Sequence, residues 1–424
     1  MTHLSSFIMH HSTSNFGWVS RIFARPNLDR MPRIFAPPAL LLTLFLSLPA
    51  SADNWMSCLP DNVYVAALSI PGTHDSATGS GWADGWEDLG DSFARTQELT
   101  LQQQWDLGIR AFDLRPCCHE DHMNLNHGMV ATQLHLEDVL RTMRDWLTAN
   151  PSEFIIIHML HETDGDQVEN VYNKRILEVL NSSELDGLFI NFRKTLKVAD
   201  MRGHILLLSR DQYASKPVGG FFQNWTMEAN WTKQMQLRIQ GPTSNCSAIV
   251  QDYCETWQDG ALQTKVNALT QLLEYSNKHP NKGSSNMRWY INMASGYSKV
   301  ESLFGYTISS SDGYRDNAAH THAAILDFLG THEPGPTGIV MMDYAGVDTS
   351  GGYATRGREV VEAIIQNNFL YLEPDAVRSV TPDTGHTGRP AFRSLNGHAI
   401  TSPRPGTVAL QTLSDGTTRK ILVK

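Results

Sequence analysis

A set of histidine, carboxylate and arginine side chains in this sequence has the residue types needed for acid–base chemistry on a phosphate ester. They lie at the ends of apolar runs or in the polar segments just beyond them. The set contains His74, Asp75, Asp113, Arg115, His127, His161, Arg210 and Asp343. One histidine can act as a general base and another as a general acid, while an arginine neutralises phosphate charge. Alone, each residue is equally well explained as a cap, a turn residue or an ion pair, so the chemical interpretation depends on their meeting in space.

The apolar runs predict the elements that bring these side chains together. Six β-rich runs cover residues 63–70, 109–114, 154–159, 204–209, 288–293 and 338–342. Near-continuous apolar runs are typical of parallel strands buried on both faces. Stretches with helical spacing between them cover residues 136–147, 168–180 and 262–275. The alternation predicts an α/β fold and favours a closed barrel, with the polar residues on one rim, over a doubly wound open sheet.

Composition limits the partners of the chain. The 424 residues carry 34 Lys and Arg against 44 Asp and Glu, a formal net charge of −10. This acidic excess argues against a nucleic-acid partner and against tight electrostatic docking on an anionic membrane. Histidines and carboxylates also bind calcium or zinc, but a fixed cation at Arg115 would repel a metal ion. We therefore expect neither a metal nor another cofactor in this site.

The beginning of the chain indicates export. A basic flank at Arg33, an apolar run over residues 39–48 and small residues at 50–52 are typical of a secretory signal peptide. The run is shorter than the roughly 20 residues that a membrane span needs. We predict a signal peptide over residues 1–52, with Met31 as a candidate start, and a periplasmic, extracellular or cell-surface location.

The rest of the chain divides into a barrel domain over residues 53–375 and a linker and tail over residues 376–424. The tail resembles the C-terminal sorting signals of type IX secretion, and it equally fits an edge hairpin with Asp415 and Gly416 at its turn. The cysteines are Cys58, Cys117, Cys118, Cys246 and Cys254. In an exported protein they could form disulfides, although the odd number leaves at least one thiol without an intramolecular partner.

Three motifs carry a resemblance to a known family. They are Ser69-Ile-Pro-Gly-Thr-His-Asp-Ser76, Arg110-Ala-Phe-Asp-Leu-Arg115 and Asn126-His-Gly128. In this order they resemble bacterial phosphatidylinositol-specific phospholipase C, and the likeness extends over roughly residues 58–372. The resemblance implies an irregular TIM barrel. In the related calcium-dependent eukaryotic enzymes a carboxylate ligand of calcium takes the place of Arg115, so the resemblance also implies a metal-independent enzyme.

The resemblance further implies how phosphatidylinositol would be cleaved. His74 would be the general base that takes the proton of the inositol 2-hydroxyl, held in its tautomer by Asp343. His127, partnered with Asp75, would be the general acid that protonates the departing diacylglycerol oxygen. The products would be diacylglycerol and inositol 1,2-cyclic phosphate, with slower hydrolysis to inositol 1-phosphate.

Other matched positions are assigned to the phosphate, the inositol ring and the membrane. Arg115, positioned by Asp113, would neutralise the phosphate. Arg210 and Asp252 match residues that hydrogen-bond inositol hydroxyls. Two positions depart from the family pattern: Tyr253 is displaced by one position from the expected aromatic residue, and His161 is a weak substitute for a basic residue that is missing after the third strand. The aromatic residues within 80–86, together with Phe221, Phe222 and Trp225, are candidates for transient contact with a bilayer.

The sequence therefore predicts an exported phosphodiesterase that cleaves phosphatidylinositol, with glycosylphosphatidylinositol anchors as a further candidate substrate. One alternative is an inactive barrel that binds inositol headgroups or a protein partner. Intact His74, His127, Arg115 and Asp343 disfavour it, because a pure binder needs no acid–base pair. Another alternative is a metal-dependent phosphodiesterase acting on another lipid, such as sphingomyelin or a glycerophosphodiester.

Overall fold

The computed structural model describes residues 52–225, 235–283, 285–303, 306–372, 391–393, 399–400, 408–412 and 418–422. The strands are β1 (Ser69–Thr73), β2 (Ala111–Leu114), β3 (Pro116–Cys118), β4 (Met123–His127), β5 (Val130–His135), β6 (Ile155–Met159), β7 (Ile205–Ser209), β8 (Gly220–Gln223), β9 (Met235–Gln240), β10 (Asn245–Gln251), β11 (Arg288–Met293), β12 (Val300–Leu303), β13 (Tyr306–Ser309), β14 (Gly338–Met342), β15 (Ala391–Arg393), β16 (Ala399–Ile400), β17 (Val408–Thr412) and β18 (Thr418–Leu422).

The α-helices are α1 (Glu87–Leu89), α2 (Leu101–Leu107), α3 (Leu136–Ala149), α4 (Tyr172–Leu180), α5 (Val198–Met201), α6 (Ala261–Lys278), α7 (Ser311–Thr331) and α8 (Gly357–Tyr371). Shorter 3₁₀ or π turns lie at Ala52–Cys58, Val65–Ala67, Ser76–Ser80, Gly90–Ala94, Thr163–Gly165 and Ser183–Leu185. Within the described parts of the chain, no helix is both long enough and apolar enough to cross a membrane.

Nine strands close into a barrel in the order β1-β14-β11-β10-β9-β8-β7-β6-β2. All neighbouring pairs are parallel except β8–β9 and β9–β10, so β9 is the one antiparallel member of this barrel. The short pairing of β1 with β2, Gly72 with Ala111 and Thr73 with Phe112, completes the circle. The predicted irregular α/β barrel is confirmed, and the open doubly wound sheet is wrong.

Strand β1 begins and ends later in the chain than the predicted run over residues 63–70. The predicted run began at residue 63, but Val65–Ala67 forms a 3₁₀ turn and the strand continues to Thr73. Gly72 allows this extension, since a Cβ there would lie 2.5 Å from Met341 Sδ and 2.9 Å from Ala111 Cβ. The strand therefore delivers the chain to His74 at the carboxyl rim of the barrel.

An ion pair lies at the opposite, amino-terminal rim. Arg110 directly precedes β2, and its Nε donates to Glu153 Oε2 at 2.9 Å, with both side chains fully buried. Nη1 of Arg110 donates to the carbonyl oxygens of Trp105 and Ile109. Glu153 also accepts from the Ser57 backbone N–H. The guanidinium is thus held by partners from several elements.

Outside the barrel, β3, β4 and β5 form a small antiparallel sheet, and β15 to β18 form a separate four-stranded sheet. Strands β17 and β18 pair as antiparallel neighbours, as in the predicted hairpin, while its turn residues lie outside the described residues. The predicted signal peptide lies outside them too, except for Ala52, as does the linker over 376–390. All five cysteines are free thiols, so the expected disulfides do not form in this structure.

Candidate active site

The carboxyl rim of the barrel brings together the chemistry-bearing residues of three neighbouring strands. His74 and Asp75 follow β1, Asp113 lies in β2 with Arg115 just beyond it, and Asp343 follows β14. Asp75 adopts a left-handed backbone conformation with φ of 43°. This region is sparsely populated by residues other than glycine, and such strain clusters at functional sites.

His74 is held by hydrogen bonds on both ring nitrogens. Its Nδ1 lies 2.8 Å from Asp343 Oδ1, and Oδ2 of the same carboxylate accepts from the Gly296 backbone N–H at 3.1 Å. Arg115 Nη2 lies 2.8 Å from Nε2 of His74. Because a guanidinium can only donate, this contact requires a lone pair on Nε2 and a proton on Nδ1. That tautomer presents a base at Nε2.

The charges around His74 raise its proton affinity. Burial disfavours the imidazolium, but the nearby carboxylates of Asp75 and Asp343 outweigh burial and the opposing charge of Arg115. The pKa of His74 is therefore raised above its ordinary value of 6.5. A base with a raised pKa accepts a proton from a hydroxyl more readily, provided it is neutral before the reaction.

The second histidine enters the site from the sheet formed by β3, β4 and β5. His127 ends β4, and its Nδ1 donates to the carbonyl oxygen of Ala94 at 2.7 Å. Its Nε2 lies 3.5 Å from Asp75 Oδ2, and the Tyr314 hydroxyl is 3.3 Å from the same nitrogen. The centroids of the His74 and His127 rings are 6.2 Å apart. Asp75 thus faces both histidines, since its Oδ2 is also 3.3 Å from His74 Nε2.

Arg115 lies among three carboxylates. Its guanidinium nitrogens are 2.9 Å from Asp75 Oδ1, 3.2 Å from Asp113 Oδ2 and 3.4 Å from Glu162 Oε2. Burial disfavours the charged guanidinium, but these carboxylates outweigh burial and raise the pKa of Arg115 well above its ordinary value. The site therefore holds a permanent cation next to both histidines.

Three residues of the site were absent from the sequence-based set of roles: His158, Glu162 and Tyr314. His158 lies within β6, and its Nδ1 is 3.1 Å from Asp113 Oδ1. Its Nε2 is buried without a hydrogen-bond partner. Burial raises the pKa of Asp113, but Arg115 and His158 outweigh it, so that pKa lies well below its ordinary value. His158 thus keeps Asp113 ionised and oriented toward Arg115.

The residues assigned to the inositol ring divide into two groups. The Arg210 guanidinium lies 4.6 Å from the ring centroid of Trp225, and Nε1 of Trp225 donates to Asp252 Oδ2 at 2.9 Å. Tyr253, by contrast, is only 4% exposed. His161 Nε2 is 2.9 Å from Asp166 Oδ2, and the His161 ring stacks on the Tyr172 ring with their centroids 3.5 Å apart. The geometry brings Arg210 and Asp252 together and places Tyr253 and His161 in packing contacts.

Among the described residues, one group of three side chains has its possible metal-ligand atoms close together without any rearrangement. Ligand atoms of His74, Asp75 and Asp113 all lie within 4.8 Å of one another. The Arg115 guanidinium contacts all three residues, at 2.8 Å, 2.9 Å and 3.2 Å respectively. A metal ion would have to displace this cation or share three ligands with it, and electrostatic repulsion opposes both. The donor set therefore fits an arginine better than a metal.

The expected membrane-facing aromatics prove to be mostly core residues. Trp82, Phe221 and Phe222 are 8%, 6% and 2% exposed, which contradicts their assignment to a bilayer-dipping rim. They are buried because Trp82 packs in a small cluster beside the β4–β5 sheet and the two phenylalanines lie in barrel strand β8. Of the described large apolar residues, three are exposed: Met129 and Trp257, on loops after β4 and β10, and Leu370, in α8.

The fold and the site together define a class of protein. It is a closed barrel in which two histidines and an arginine lie around one buried carboxylate, that of Asp75, at the carboxyl rim. A scan against family models gave no match. The 1-phosphatidylinositol phosphodiesterase of Staphylococcus aureus strain Newman is 28% identical over 330 residues, covering 76% of this chain and 96% of the relative. The enzyme of that name from Listeria monocytogenes is 36% identical over 176 residues, covering 40% of this chain and 51% of the relative.

Solved structures agree with the fold. A double mutant of the phosphatidylinositol-specific phospholipase C of S. aureus superposes with a TM-score of 0.59 at 24% identity, covering 76% of this chain and 99% of that one. The L. monocytogenes enzyme gives a TM-score of 0.53 at 24% identity, covering 75% and 99%. The chain is thus similar in sequence and fold to the bacterial phosphatidylinositol-specific phospholipases C, as its motifs predicted.

Proposed function

We propose that this protein is a metal-independent phosphatidylinositol-specific phospholipase C that releases diacylglycerol and inositol 1,2-cyclic phosphate. One observation carries the proposal: two histidines with different partners face the same carboxylate, Asp75, with Arg115 between the carboxylates. This arrangement supplies a base, an acid and a phosphate-binding cation within one buried cluster. The homology to phosphatidylinositol phosphodiesterases supports the choice of substrate.

The first half of the reaction uses His74. Its Nε2 takes the proton of the inositol 2-hydroxyl, and the oxygen attacks the phosphorus attached to the neighbouring ring position. Asp343 fixes the tautomer through Nδ1 and stabilises the imidazolium that forms. Because the nucleophile belongs to the substrate itself, the step is intramolecular and needs no bound water.

The second half uses His127 and Arg115. His127 protonates the glycerol oxygen as its bond to phosphorus breaks, with Asp75 stabilising the protonated ring beforehand. Arg115 turns its Nη2 from His74 to the phosphate oxygens, whose negative charge it neutralises. Asp113 and Glu162 hold the guanidinium in place during this exchange. When water opens the cyclic phosphate to inositol 1-phosphate, His127 takes the proton of the attacking water and His74 returns its proton to the inositol 2-oxygen.

Substrate recognition is assigned to the opposite part of the rim. Arg210 and Asp252, linked through Trp225, would hydrogen-bond the inositol hydroxyls. Tyr253 and His161 remain candidates for the same pocket, although their packing contacts favour the first pair. Glycosylphosphatidylinositol anchors are a further candidate substrate, because they carry the same inositol phosphate.

Export and a transient membrane contact complete the proposal. The apolar run over residues 39–48 supports secretion. Met129, 59% exposed, is two residues after His127, and Trp257, 40% exposed, is five residues after Asp252. These two side chains are the candidates for contact with the lipid surface that presents the substrate.

Phosphorus NMR of the purified protein with phosphatidylinositol micelles in excess EDTA tests the proposal. A cyclic phosphodiester signal that appears before the monoester supports the intramolecular, metal-independent reaction. Turnover that requires added calcium would contradict the assigned role of Arg115. No turnover under either condition would favour a barrel that binds inositol headgroups without cleaving them.

A further inference from the structure

Three other histidines meet on the sheet that carries His127, outside the site described above. The ring centroids of His119 and His122 are 5.1 Å apart, and those of His122 and His135 are 3.8 Å apart with planes inclined by 24°. His119 and His122 flank a two-residue turn that is closed by a hydrogen bond from the His119 N–H to the His122 carbonyl at 3.1 Å. His135 ends the neighbouring strand, β5. We call these three residues the histidine cluster.

Carboxylates lie behind two of the three rings. Asp121 Oδ1 is 2.7 Å from Nδ1 of His122, and Asp138 Oδ2 is 3.8 Å from Nδ1 of His135. A carboxylate on Nδ1 fixes the tautomer whose Nε2 carries the lone pair, which is the usual arrangement behind a metal-binding histidine. The side chains of His122 and His135 are 26% and 43% exposed, so their rings are accessible to ions from solution.

A fourth side chain, that of Glu137, contacts the backbone next to His122. Glu137 Oε1 accepts from the backbone N–H of Met123, the residue after His122, at 3.1 Å. The other oxygen of this carboxylate, Oε2, is buried without a hydrogen-bond partner. The contact with Met123 ties the first turn of α3 to the segment that carries His122.

Protonation of all three rings of the histidine cluster would not stabilise the fold. Three imidazolium rings this close would repel one another. Neutral imidazoles, in contrast, are good ligands for borderline transition ions such as Zn²⁺. Three histidines with an open fourth position match the tetrahedral preference of Zn²⁺.

We propose that His119, His122 and His135 bind one divalent transition-metal ion, such as Zn²⁺, through their ring nitrogens. Nearly parallel rings cannot both direct in-plane lone pairs at one ion, so the His135 ring rotates about its Cβ–Cγ bond on binding, while His122 keeps its contact with Asp121. The ion would tie the turn before β4 to the end of β5 and so brace the strand that ends at His127. This site is separate from the proposed catalytic centre, and turnover does not require it.

Isothermal titration of ZnCl₂ into chelator-treated, full-length protein without an affinity tag tests the site. We expect one saturable site in the unmodified protein. His122→Ala and His135→Ala should each weaken binding by more than about 100-fold, and Asp121→Asn, which removes only the support of His122, by about 10-fold. His320→Ala is the matched control. His320 is also exposed and 3.8 Å from a carboxylate, that of Asp316, but it lies on α7. It should leave binding unchanged.

Co²⁺ absorption gives a second readout that does not depend on activity. The intense visible bands of tetrahedral Co²⁺ should appear in the unmodified protein and in His320→Ala, and should be absent in His122→Ala. Equal metal-free melting temperatures would establish that the variants fold. Absence of saturable binding, or equal binding in His122→Ala and the unmodified protein, would overturn the proposal, and the latter would move the ion to other ligands.

Discussion

The two ends of strand β2 carry buried arginines with opposite surroundings. Arg110, at the amino end, is fully buried, its Nε donates to Glu153, and its Nη1 donates to the carbonyl oxygens of Trp105 and Ile109. Arg115, at the carboxyl end, is 8% exposed and shares its guanidinium among Asp75, other carboxylates and a histidine. The four residues of β2 thus separate a fully buried ion pair from a cluster in which one arginine contacts three carboxylates and a histidine.

This difference separates a structural charge from a reactive one. Arg110 and Glu153 are both fully buried, and removing either member of that pair leaves the other buried without its partner charge. At Arg115 the oxygens of Asp75 are buried but make no regular hydrogen bond, and Nη2 is engaged by a histidine that can release it. At the carboxyl end of β2, a bound phosphate can therefore draw Arg115 Nη2 away from His74 while the carboxylates hold the rest of the guanidinium.

Matched Arg→Lys substitutions at the two ends test this contrast, and the larger effect is expected at Arg115. Arg115→Lys keeps the charge but loses the fork that contacts phosphate and carboxylates together. We expect kcat to fall about 10³-fold, or about 4 kcal/mol in the barrier, with little change in melting temperature. Steady-state kinetics and thermal melting of the same preparation measure both. Retention of full activity would contradict the role of Arg115.

Arg110→Lys should show the reverse pattern. The lysine cannot reach Glu153 and the carbonyl oxygens of Trp105 and Ile109 at once, so buried acceptors lose their donors. We expect the free energy of unfolding to fall by about 3 kcal/mol, with kcat of the folded fraction unchanged. Denaturant unfolding measures the first quantity. If Arg110→Lys lowered kcat without lowering the free energy of unfolding, Arg110 would not be a purely structural residue, and the contrast with Arg115 would be wrong.

Glu162→Gln sharpens the comparison within the carboxyl end. Its Oε2 is 3.4 Å from Arg115 Nη1, a looser contact than that of Asp75. Loss of this charge should allow the guanidinium to shift, and we expect a decrease of about tenfold in kcat with KM little changed. Asp164→Asn, an exposed carboxylate two residues further along the chain, is the control. Equal kinetics of the two variants would show that Glu162 does not position Arg115.

The smallest expected effect is a shift in pH dependence. His74 must be neutral to act as a base, and burial is outweighed by Asp75 and Asp343, so the pKa of His74 lies above 6.5. Activity should therefore fall as pH decreases through this raised pKa. Asp343→Asn removes one of the charges that raise it, so the NMR titration of His74 should move to lower pH. An unchanged midpoint would mean that Asp343 does not set the proton affinity of this ring.

The sequence predicted six of the nine barrel strands because they are near-continuous apolar runs, and it did not predict β8, β9 or β10. Strands β6, β7, β11 and β14 match their runs almost residue for residue. The same criterion missed β9, whose residues 235–240 alternate polar and apolar side chains, as suits an antiparallel strand. The irregular part of the barrel therefore depends on pairings between distant residues that no local pattern records.

The site was predictable to the extent that its residues stand at strand ends. His74, Asp113, Arg115 and Asp343 were found in this way, and the structure brings them into contact. His158 was missed because it lies inside an apolar run, where a histidine gives no signal of its partner. Tyr314, in contrast, reaches the site from α7, a helix with weak amphipathic character that places it beside His127 only in the folded chain.

A comparison of two substrates tests the division of labour between His74 and His127 most directly. One is phosphatidylinositol, whose glycerol oxygen needs a proton to depart, and the other is inositol 1-(4-nitrophenyl phosphate), whose nitrophenolate departs unprotonated. His74→Ala should lose about 10⁴-fold in kcat/KM on both substrates, whereas His127→Ala should lose as much on the lipid and only a small factor on the aryl ester. An equal loss on both substrates for His127→Ala would contradict its role as the general acid.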